Sequence, residues 1–332
     1  MHPTNGGAQS VVGGPRFVVG VDGSRGSRAA LSWAMAAAAS RGASLDVVAA
    51  YPVDLYWTDP YLADPGRVDT IRANTASRAR AMVEEARRDA SLTGVPGVAD
   101  LRLEVIVAAG RPAEHLIRQA RPADLLVVGS RGRGAVRSTL LGSVALHCVA
   151  HAACDVVVVH EGGGAPGGRI IVGLDDTAAS WAALEHALLE AQRVGAVVDV
   201  VAVYQPFSYW VDIYTTQEGP EAPSPGEVAA RAHQIVEDVL AQMPMAQRPQ
   251  VVVTADQGIA GDVLIQRSQN ARLLVVGSRG RNQIKGMVLG SVALHCVVSA
   301  ACPVMVVHPP DRDSRAALAD PAAGSPSTSP PG

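Results

Sequence analysis

The sequence is short of several features that would each point to a particular class of protein. Of 332 residues, 4% are aromatic and 18% are charged, and the formal net charge is −3. This balance gives no electrostatic reason to expect nucleic acid or an anionic membrane as a partner. No stretch approaches the roughly 18 consecutive apolar residues of a membrane helix, and Met1–Gly14 has no basic cluster before an apolar run. We therefore expect a cytoplasmic protein.

Cysteine is scarce as well, which restricts redox and metal chemistry. The four cysteines form two pairs, Cys148 with Cys154 and Cys296 with Cys302, and each pair precedes a strand-like run. This spacing, without clustered histidines or acids, is not typical of a zinc site. We expect buried structural thiols, with a redox role as the alternative.

What the chain does contain is an internal repeat. The longest repeated segment reads GSVALHCVAHAACDVVVVH in one copy and GSVALHCVVSAACPVMVVH in the other. The matching segments are 142–160 with 290–308, 127–133 with 275–281, and 17–24 with 170–177. A repeat on this scale indicates that a whole domain was duplicated.

Composition places the domain boundaries. Residues 1–15 and 309–332 are rich in Gly, Pro, Ser and Ala, which is typical of poorly ordered tails. Between the halves, 161–168 reads EGGGAPGG, which is typical of a flexible linker. We predict two domains, at 16–160 and 169–308.

Strand-like and helix-like segments alternate within each half. In the first half we predict strands at 17–21, 45–51, 101–107, 125–128 and 156–160, and helices at 26–41, 68–91, 112–120 and 141–152. Strands separated by helices predict a parallel sheet with right-handed crossovers. The predicted fold class is α/β, with two tandem doubly wound domains, each a five-stranded, mainly parallel sheet flanked by helices.

In such sheets, ligands bind beyond the carboxyl ends of the strands, where the winding reverses. An acid that ends the first strand, a glycine-rich turn after the fourth strand and a Gly-Ser pair that opens the last helix converge there in each half. The glycines leave backbone N–H groups open to an anion, the helix start offers its dipole and a hydroxyl, and arginines add positive charge. These residues are Asp22, Gly129, Ser130, Arg131, Gly132, Arg133, Gly134, Gly142 and Ser143, and then Asp175, Gly277, Ser278, Arg279, Gly280, Arg281, Gly290 and Ser291.

Plainer readings compete with this one. Each acid can serve as the N-cap of the next helix, and a Gly-rich loop with surface arginines can be purely structural. Two common phosphate motifs do not apply. Neither half has the Gly-Lys-Ser/Thr of a P-loop, and the glycines follow the fourth strand rather than the first, as a dinucleotide fingerprint would require.

At these residues the chain resembles the universal stress protein family. The nucleotide-binding branch of that family carries the pattern G-x2-G-x9-G-[ST] after the fourth strand. The pattern fits Gly129, Gly132 and Gly142-Ser143, and it fits Gly277, Gly280 and Gly290-Ser291. The family's acid after the first strand matches Asp22 and Asp175. The resemblance covers about residues 16–308.

The resemblance implies a ligand and a mode of pairing. It implies ATP or another adenine nucleotide in each repeat, with Mg²⁺ or Mn²⁺ held through the phosphates rather than by side chains. It adds contact residues at Gly20, Val21, Ala50 and Val144, and at Gly173, Leu174, Val203 and Val292. It also implies a pair of domains joined through their last strands, either within the chain, with Val156–His160 against Val304–His308, or in a homodimer.

Three details of the sequence qualify this prediction. Asp176 stands where the first half has Gly23, and its added negative charge is predicted to weaken binding in the second half. The aromatic loops 55–57 and 208–210 either cover the pocket or a partner, or pack on their own helices. His147 and His295 occupy equivalent places on the last helices, where a helix-face role near an interface is favoured over catalysis.

The predicted function is an ATP-binding stress-response regulator that signals to an unidentified protein partner through conformation or assembly. One alternative is a slow ATPase or an adenylyl-transferring enzyme of the same fold class, and another is a nucleotide-independent scaffold or chaperone-like protein. No Ser–His–Asp order, HExxH motif or paired-carboxylate spacing stands out, so an efficient hydrolase is not indicated.

Overall fold

The computed structural model describes most of both repeats. The described residues are 14–51, 65–132, 141–162, 168–205, 224–280 and 289–309. The predictions for most of the two tails, for linker residues 163–167 and for the aromatic loops lie outside them, as do Arg133, Gly134 and Arg281.

In the described residues, strands and helices alternate as predicted. The strands are β1 (Arg16–Val21), β2 (Ser44–Tyr51), β3 (Leu103–Ala109), β4 (Leu125–Gly129), β5 (Asp155–Val159), β6 (Arg169–Leu174), β7 (Val197–Tyr204), β8 (Val251–Gln257), β9 (Leu273–Gly277) and β10 (Val304–Val307). The helices are α1 (Arg25–Ser40), α2 (Pro65–Arg87), α3 (Ala90–Thr93), α4 (Pro112–Ala120), α5 (Ser143–His151), α6 (Ala178–Val194), α7 (Pro225–Leu240), α8 (Ala260–Arg267) and α9 (Ser291–Ser299). None of these helices has both the length and the apolar character needed to cross a bilayer.

All the strands belong to one ten-stranded sheet in the order β3-β2-β1-β4-β5-β10-β9-β6-β7-β8. The strands within each half are parallel, and the winding reverses between β1 and β4 and between β6 and β9. At the centre, β5 and β10 pair antiparallel, with Val304 opposite Val158 and Val306 opposite Val156. The predicted contact between the last strands is therefore present within the chain.

Helices cover both faces of this sheet, which explains why its central strands are apolar apart from Asp155 at the start of β5. One hydrophobic cluster, on the side of α1 and α6, contains Leu31 and Leu184 and runs through both halves. A second, on the side of α5 and α9, contains Leu126 and Leu274 and also runs through both halves. The two repeats therefore share their core across the β5–β10 seam.

The cysteines lie in or beside this second cluster. All four thiols are free, and Cys148, Cys296 and Cys302 are buried, while Cys154 is half-buried. Burial raises the pKa of Cys148, Cys154 and Cys296 to about 12, so these thiols stay protonated at neutral pH. This environment supports the structural reading of the cysteines.

Several predicted boundaries differ from the structure, and three of them have a clear local reason. The long helix predicted at 68–91 ends at Arg87, because the Asp89 carboxylate accepts a hydrogen bond from the Ser91 N–H at 2.8 Å and caps a new short helix. The helix predicted from 141 begins at Ser143, since Gly142 is its extended N-cap. Strand β3 runs on to Ala109 because it pairs with β2 as far as Tyr51.

Candidate functional site

Each half has a cavity beyond the carboxyl ends of its strands, where the winding reverses. Its volume is about 610 Å³ in the first half and about 910 Å³ in the second. The predicted residues that line the first cavity are Gly20, Val21, Asp22, Ala50, Gly129, Arg131, Gly132, Gly142, Ser143 and Val144. Those that line the second are Gly173, Leu174, Asp175, Val203, Gly277, Arg279, Gly280, Gly290, Ser291 and Val292. The fold thus gathers residues that are far apart in sequence at one place in each half.

Ser130 and Ser278 are the exceptions among the described site residues, because both are buried behind the cavity wall. The Ser130 N–H donates to the Val159 carbonyl at 2.8 Å, and the Ser130 carbonyl accepts from the Gly142 N–H at 2.8 Å. The same two bonds recur at Ser278. These four amides hold the loop in place and are not open to an anion, and the nucleotide-binding role of Ser130, Gly142 and their counterparts stays a prediction.

The start of helix α5 offers a different set of amides. Its N-cap is Gly142, which forms no side-chain capping hydrogen bond, and α9 begins in the same way at Gly290. The first N–H groups of a helix have no acceptor within it, so those of Ser143 and its two successors need partners from elsewhere. By contrast, the hydroxyl of Ser24 caps α1. The Gly-Ser starts of α5 and α9 thus expose helix dipoles to the cavities.

One interpretation of the sequence made the acid after the first strand the N-cap of the next helix, and the structure shows that this interpretation is wrong. The N-cap of α1 is Ser24, and the Asp22 carboxylate accepts from the Ser24 N–H at 2.9 Å. In the second half the Asp175 carboxylate accepts from the Thr177 hydroxyl at 2.7 Å, and Thr177 caps α6. Each acid therefore orients the capping residue while it lines the cavity.

The glycines of the motif have distinct packing roles. A Cβ on Gly129 would lie 2.5 Å from the carbonyl carbon of Gly26, and one on Gly277 would lie 2.8 Å from that of Ala179. The first glycine therefore lets the strand end approach the backbone of α1 or α6. A Cβ on Gly132 would lie 2.7 Å from the Asp22 carboxylate, so this glycine leaves room for the acid.

Sequence reasoning missed one wall of each cavity. Leu116 on α4 lines the first cavity, and Leu264 on α8 lines the second. A Cβ on Gly20 would lie 2.9 Å from a methyl group of Leu116, and Gly173 stands in the same relation to Leu264. The repeated glycine within β1 and β6 was the signal that another side chain approaches at this point.

The second cavity also reaches helix α7, which contributes Glu227 and Arg231. The Arg231 guanidinium binds both carboxylate oxygens of Asp176, with Nε–Oδ2 at 2.8 Å and Nη2–Oδ1 at 2.9 Å. The Trp181 indole N–H also donates to Asp176 at 3.1 Å. The charge of Asp176, treated as uncompensated in the sequence prediction, is therefore balanced by Arg231.

The histidines on the last helices lie apart from the cavities. His147 is exposed and its ring lies 4.5 Å from that of His151, while His295 Nε2 lies 3.6 Å from a carboxylate oxygen of Asp262. Neither His147 nor His295 lines its cavity. In the described part of the chain, no group of three or more His, Cys, Asp or Glu residues is arranged to hold a metal ion.

Comparison with known proteins agrees with this architecture. The model of the universal stress protein family matches residues 15–160 and again 168–308. A universal stress protein of Mycolicibacterium smegmatis is 32% identical over 305 residues, which is 88% of this chain and 97% of that relative. One from Mycobacterium tuberculosis is 31% identical over 314 residues, covering 88% and 96%.

A solved structure has the same fold at a greater distance in sequence. The crystal structure of a universal stress protein from Archaeoglobus fulgidus superposes with a TM-score of 0.62 at 19% identity, covering 88% of this chain and 98% of that one. With the two family matches along one chain, this establishes the architecture as a tandem one. The chain belongs to the universal stress protein family, and it carries the family's domain twice.

Proposed function

We propose that each half of the chain binds an adenine nucleotide, foremost ATP, and that the protein acts as a regulator. The observation that carries this proposal is duplicated. In both halves a helix that begins with Gly-Ser, without a side-chain cap, lines a cavity beside a glycine-rich loop. A helix start of this kind favours phosphate.

The phosphates would bind at the start of α5 in the first half. The amides of Ser143 and Val144 and the exposed Ser143 hydroxyl supply donors, and Arg131 supplies positive charge from the loop opposite. In the second half, Ser291, Val292 and Arg279 would do the same. The cation, Mg²⁺ or Mn²⁺, would be held by the phosphate oxygens, since the described residues offer no ready-made metal cluster.

The adenosine would lie on the strand ends. Gly20, Val21 and Ala50 contribute backbone and small apolar surface, and Leu116 closes the wall from the other side. Asp22 holds a fixed orientation through Ser24, so its carboxylate is a pre-set acceptor for a hydroxyl or amino group of the nucleoside. Small apolar walls with a few fixed polar groups are typical of small-molecule sites.

A regulatory role follows from what surrounds the cavities. Among the described residues, the histidines of α5 and α9 lie outside both cavities, which favours binding over efficient hydrolysis. Binding of a ligand to the folded form shifts its conformational and assembly equilibria by mass action. ATP would thus act as a signal read by a protein partner or by a second copy of the chain.

The test uses the helix start itself. In G142D the aspartate can cap α5, but its charge would occupy the phosphate position, whereas G142N offers the same cap without the charge. We expect G142D and G290D each to weaken ATP binding in their own half by roughly tenfold or more, while the matched Asn variants stay within about threefold of the parent. Isothermal titration calorimetry on the full chain measures both.

A second measurement addresses the alternatives. The purified protein is denatured and any released nucleotide is identified, and added ATP is then followed for turnover. Bound ATP with negligible hydrolysis supports a regulator, and rapid hydrolysis would favour the enzyme. Equal ATP binding by the G142D/G290D and G142N/G290N proteins would contradict the proposed phosphate position. If the parent protein bound no ATP at all, the nucleotide-independent scaffold would be the remaining interpretation.

A further inference from the structure

Two histidines that immediately follow the central strands cross from one half of the molecule to the other. His160 follows β5, and its ring nitrogen Nε2 lies 3.0 Å from the Val297 carbonyl oxygen on α9. His308 follows β10, and its Nε2 lies 3.1 Å from the Val149 carbonyl oxygen on α5. Each histidine thus contacts the helix whose start lines the other half's cavity.

These contacts close the far ends of the same two helices. In α5 the last backbone bond is the one from the Ala152 N–H to the Cys148 carbonyl, at 2.9 Å. Val149 carries the next carbonyl, which has no donor within the helix, and His308 supplies one. α9 repeats the pattern with Cys296, Val297 and His160. Each helix therefore has one end in its own cavity and the other end bound by the opposite half.

Each histidine is also tied to the glycine loop of its own half. His160 follows Val159, whose carbonyl accepts from the Ser130 N–H, and Ser130 in turn accepts from Gly142. The equivalent chain in the second half runs from Gly290 through Ser278 to Val307, next to His308. A short path of hydrogen bonds and intervening covalent bonds therefore joins one loop to the other half's helix.

We propose that this crossed histidine pair couples the two nucleotide sites, so that filling one half changes the affinity of the other. The inference rests on the proposed function. A ligand that orders or shifts the glycine loop and helix start in one half acts on the histidine beside that loop, and through it on the opposite helix. A helix of nine residues is short enough to move as a rigid unit, so its two ends respond together. By linkage the effect is reciprocal.

The experiment compares stepwise ATP binding by the full chain with binding by single-site variants. G290D weakens the second site and so gives the binding constant of the first, and G142D gives that of the second in the same way. The parent binds ATP with two stepwise association constants, and each single-site variant gives one site association constant. The coupling factor is the product of the two stepwise constants divided by the product of the two site constants. We expect it to differ from one by roughly fivefold or more.

The histidine variant then assigns the route. H160F/H308F keeps two rings at the seam but removes their N–H donors, and it should bring the coupling factor to one while the single-site constants hold. The control H147F/H295F makes the same substitutions on α5 and α9 away from the seam, and it should keep the coupling of the parent. A factor that persists in H160F/H308F would overturn the inference.

Two further outcomes separate this inference from the proposed function. If both sites bind ATP with a coupling factor of one in the parent, the coupling is refuted and the nucleotide sites stand. If neither site binds ATP, the proposed function fails and the coupling fails with it. If H160F/H308F does not fold, the coupling is tested instead by amide hydrogen exchange of residues 143–151 in G142D, with and without ATP. ATP in the second half should change their protection, and unchanged protection overturns the coupling.

Discussion

The two halves of the molecule use the same left-handed turn after their first strands but fill it with different residues. Gly23 has φ of 85° and Asp176 has φ of 64°. Glycine adopts this conformation without steric cost, whereas a side chain costs roughly 1 kcal/mol. The second half holds its aspartate there with Arg231 and Trp181. The duplicated domain has thus kept its backbone geometry while its cavity edge has changed.

The halves also differ in how closely the strand end approaches the first helix. In the first half Gly129 meets Gly26, and in the second Gly277 meets Ala179. A Cβ on either strand glycine would strike helix backbone, which cannot move aside as a side chain can. The contact is closer in the first half, because both partners there are glycines.

This difference predicts the largest effect on stability. We expect G129A to lower the free energy of unfolding by about 3 kcal/mol and G277A by about 2 kcal/mol. Urea denaturation of the full chain measures both values. G94A is the control, since a Cβ on Gly94 would meet nothing within 4 Å. Full stability in G129A would mean that the strand end does not need its glycine.

These glycines also have a packing role that the motif alone does not reveal. The sequence assigns all of its glycines to phosphate contact, yet the structure uses Gly129 and Gly277 to pack strand against helix. Loss of ATP binding in a Gly129 variant would therefore report on folding. Gly142 separates the two effects better, since its backbone is extended and a Cβ there would lie 3.3 Å from the Ser130 carbonyl oxygen, against 2.5 Å from the Gly26 carbonyl carbon for one on Gly129.

The second prediction concerns the charge at the edge of the second cavity. Removing Arg231 leaves the Asp176 carboxylate without its bidentate partner in the lining of the cavity proposed to hold the phosphates. In the G142D background, where the second half alone binds, we expect R231A to weaken ATP binding about fivefold. R231A/D176G should regain most of that loss, because the second half then resembles the first.

The first half supplies the matched control. Arg78 lies exposed on α2 and does not line the first cavity. R78A in the G290D background should leave ATP binding unchanged. Equal effects of R231A and R78A would show that the guanidinium acts through general charge and that the Asp176–Arg231 pair has no special role in the second half.

Much of this architecture could be predicted from the sequence, because the patterns that predict it are local. The run of valines in β5, the alternation of strands and helices and the repeated Gly-Ser before α5 and α9 each lie within a few residues of the structure they predict. Even the β5–β10 pairing was available through the family resemblance.

The features that were missed depend on side chains brought together from distant segments. No local pattern links Arg231 to Asp176, and none links Leu116 to Gly20, because the partners lie on different elements. Hydroxyl and carboxylate groups also compete as caps within a few residues, so Ser24 rather than Asp22 could be assigned only from backbone conformation. The crossed contacts of His160 and His308 depend on the seam and have no sequence signature.

The smallest predicted effect is the contribution of His160 and His308 to the pH dependence of the free energy of unfolding. Burial lowers the pKa of His160 and of His308 below the ordinary value of 6.5. As the pH falls through that value, the unfolded chain takes up protons that the folded chain does not, so the free energy of unfolding decreases. Urea denaturation at about pH 7.5 and about pH 5.5 measures the decrease.

The charged groups around the two rings differ, and this difference determines which histidine contributes more to the pH dependence of stability. Arg131 disfavours the charged form of His160, and Arg279 does the same for His308, but the Asp155 carboxylate favours the charged form of His308. Asp155 also lies 3.2 Å from His186, and burial raises the pKa of Asp155, so a proton that it takes up in the folded chain opposes this loss of stability. H160F should therefore remove more of the pH dependence than H308F. The reverse order, or a stability that does not change between the two pH values, would mean that solvent reaches the seam.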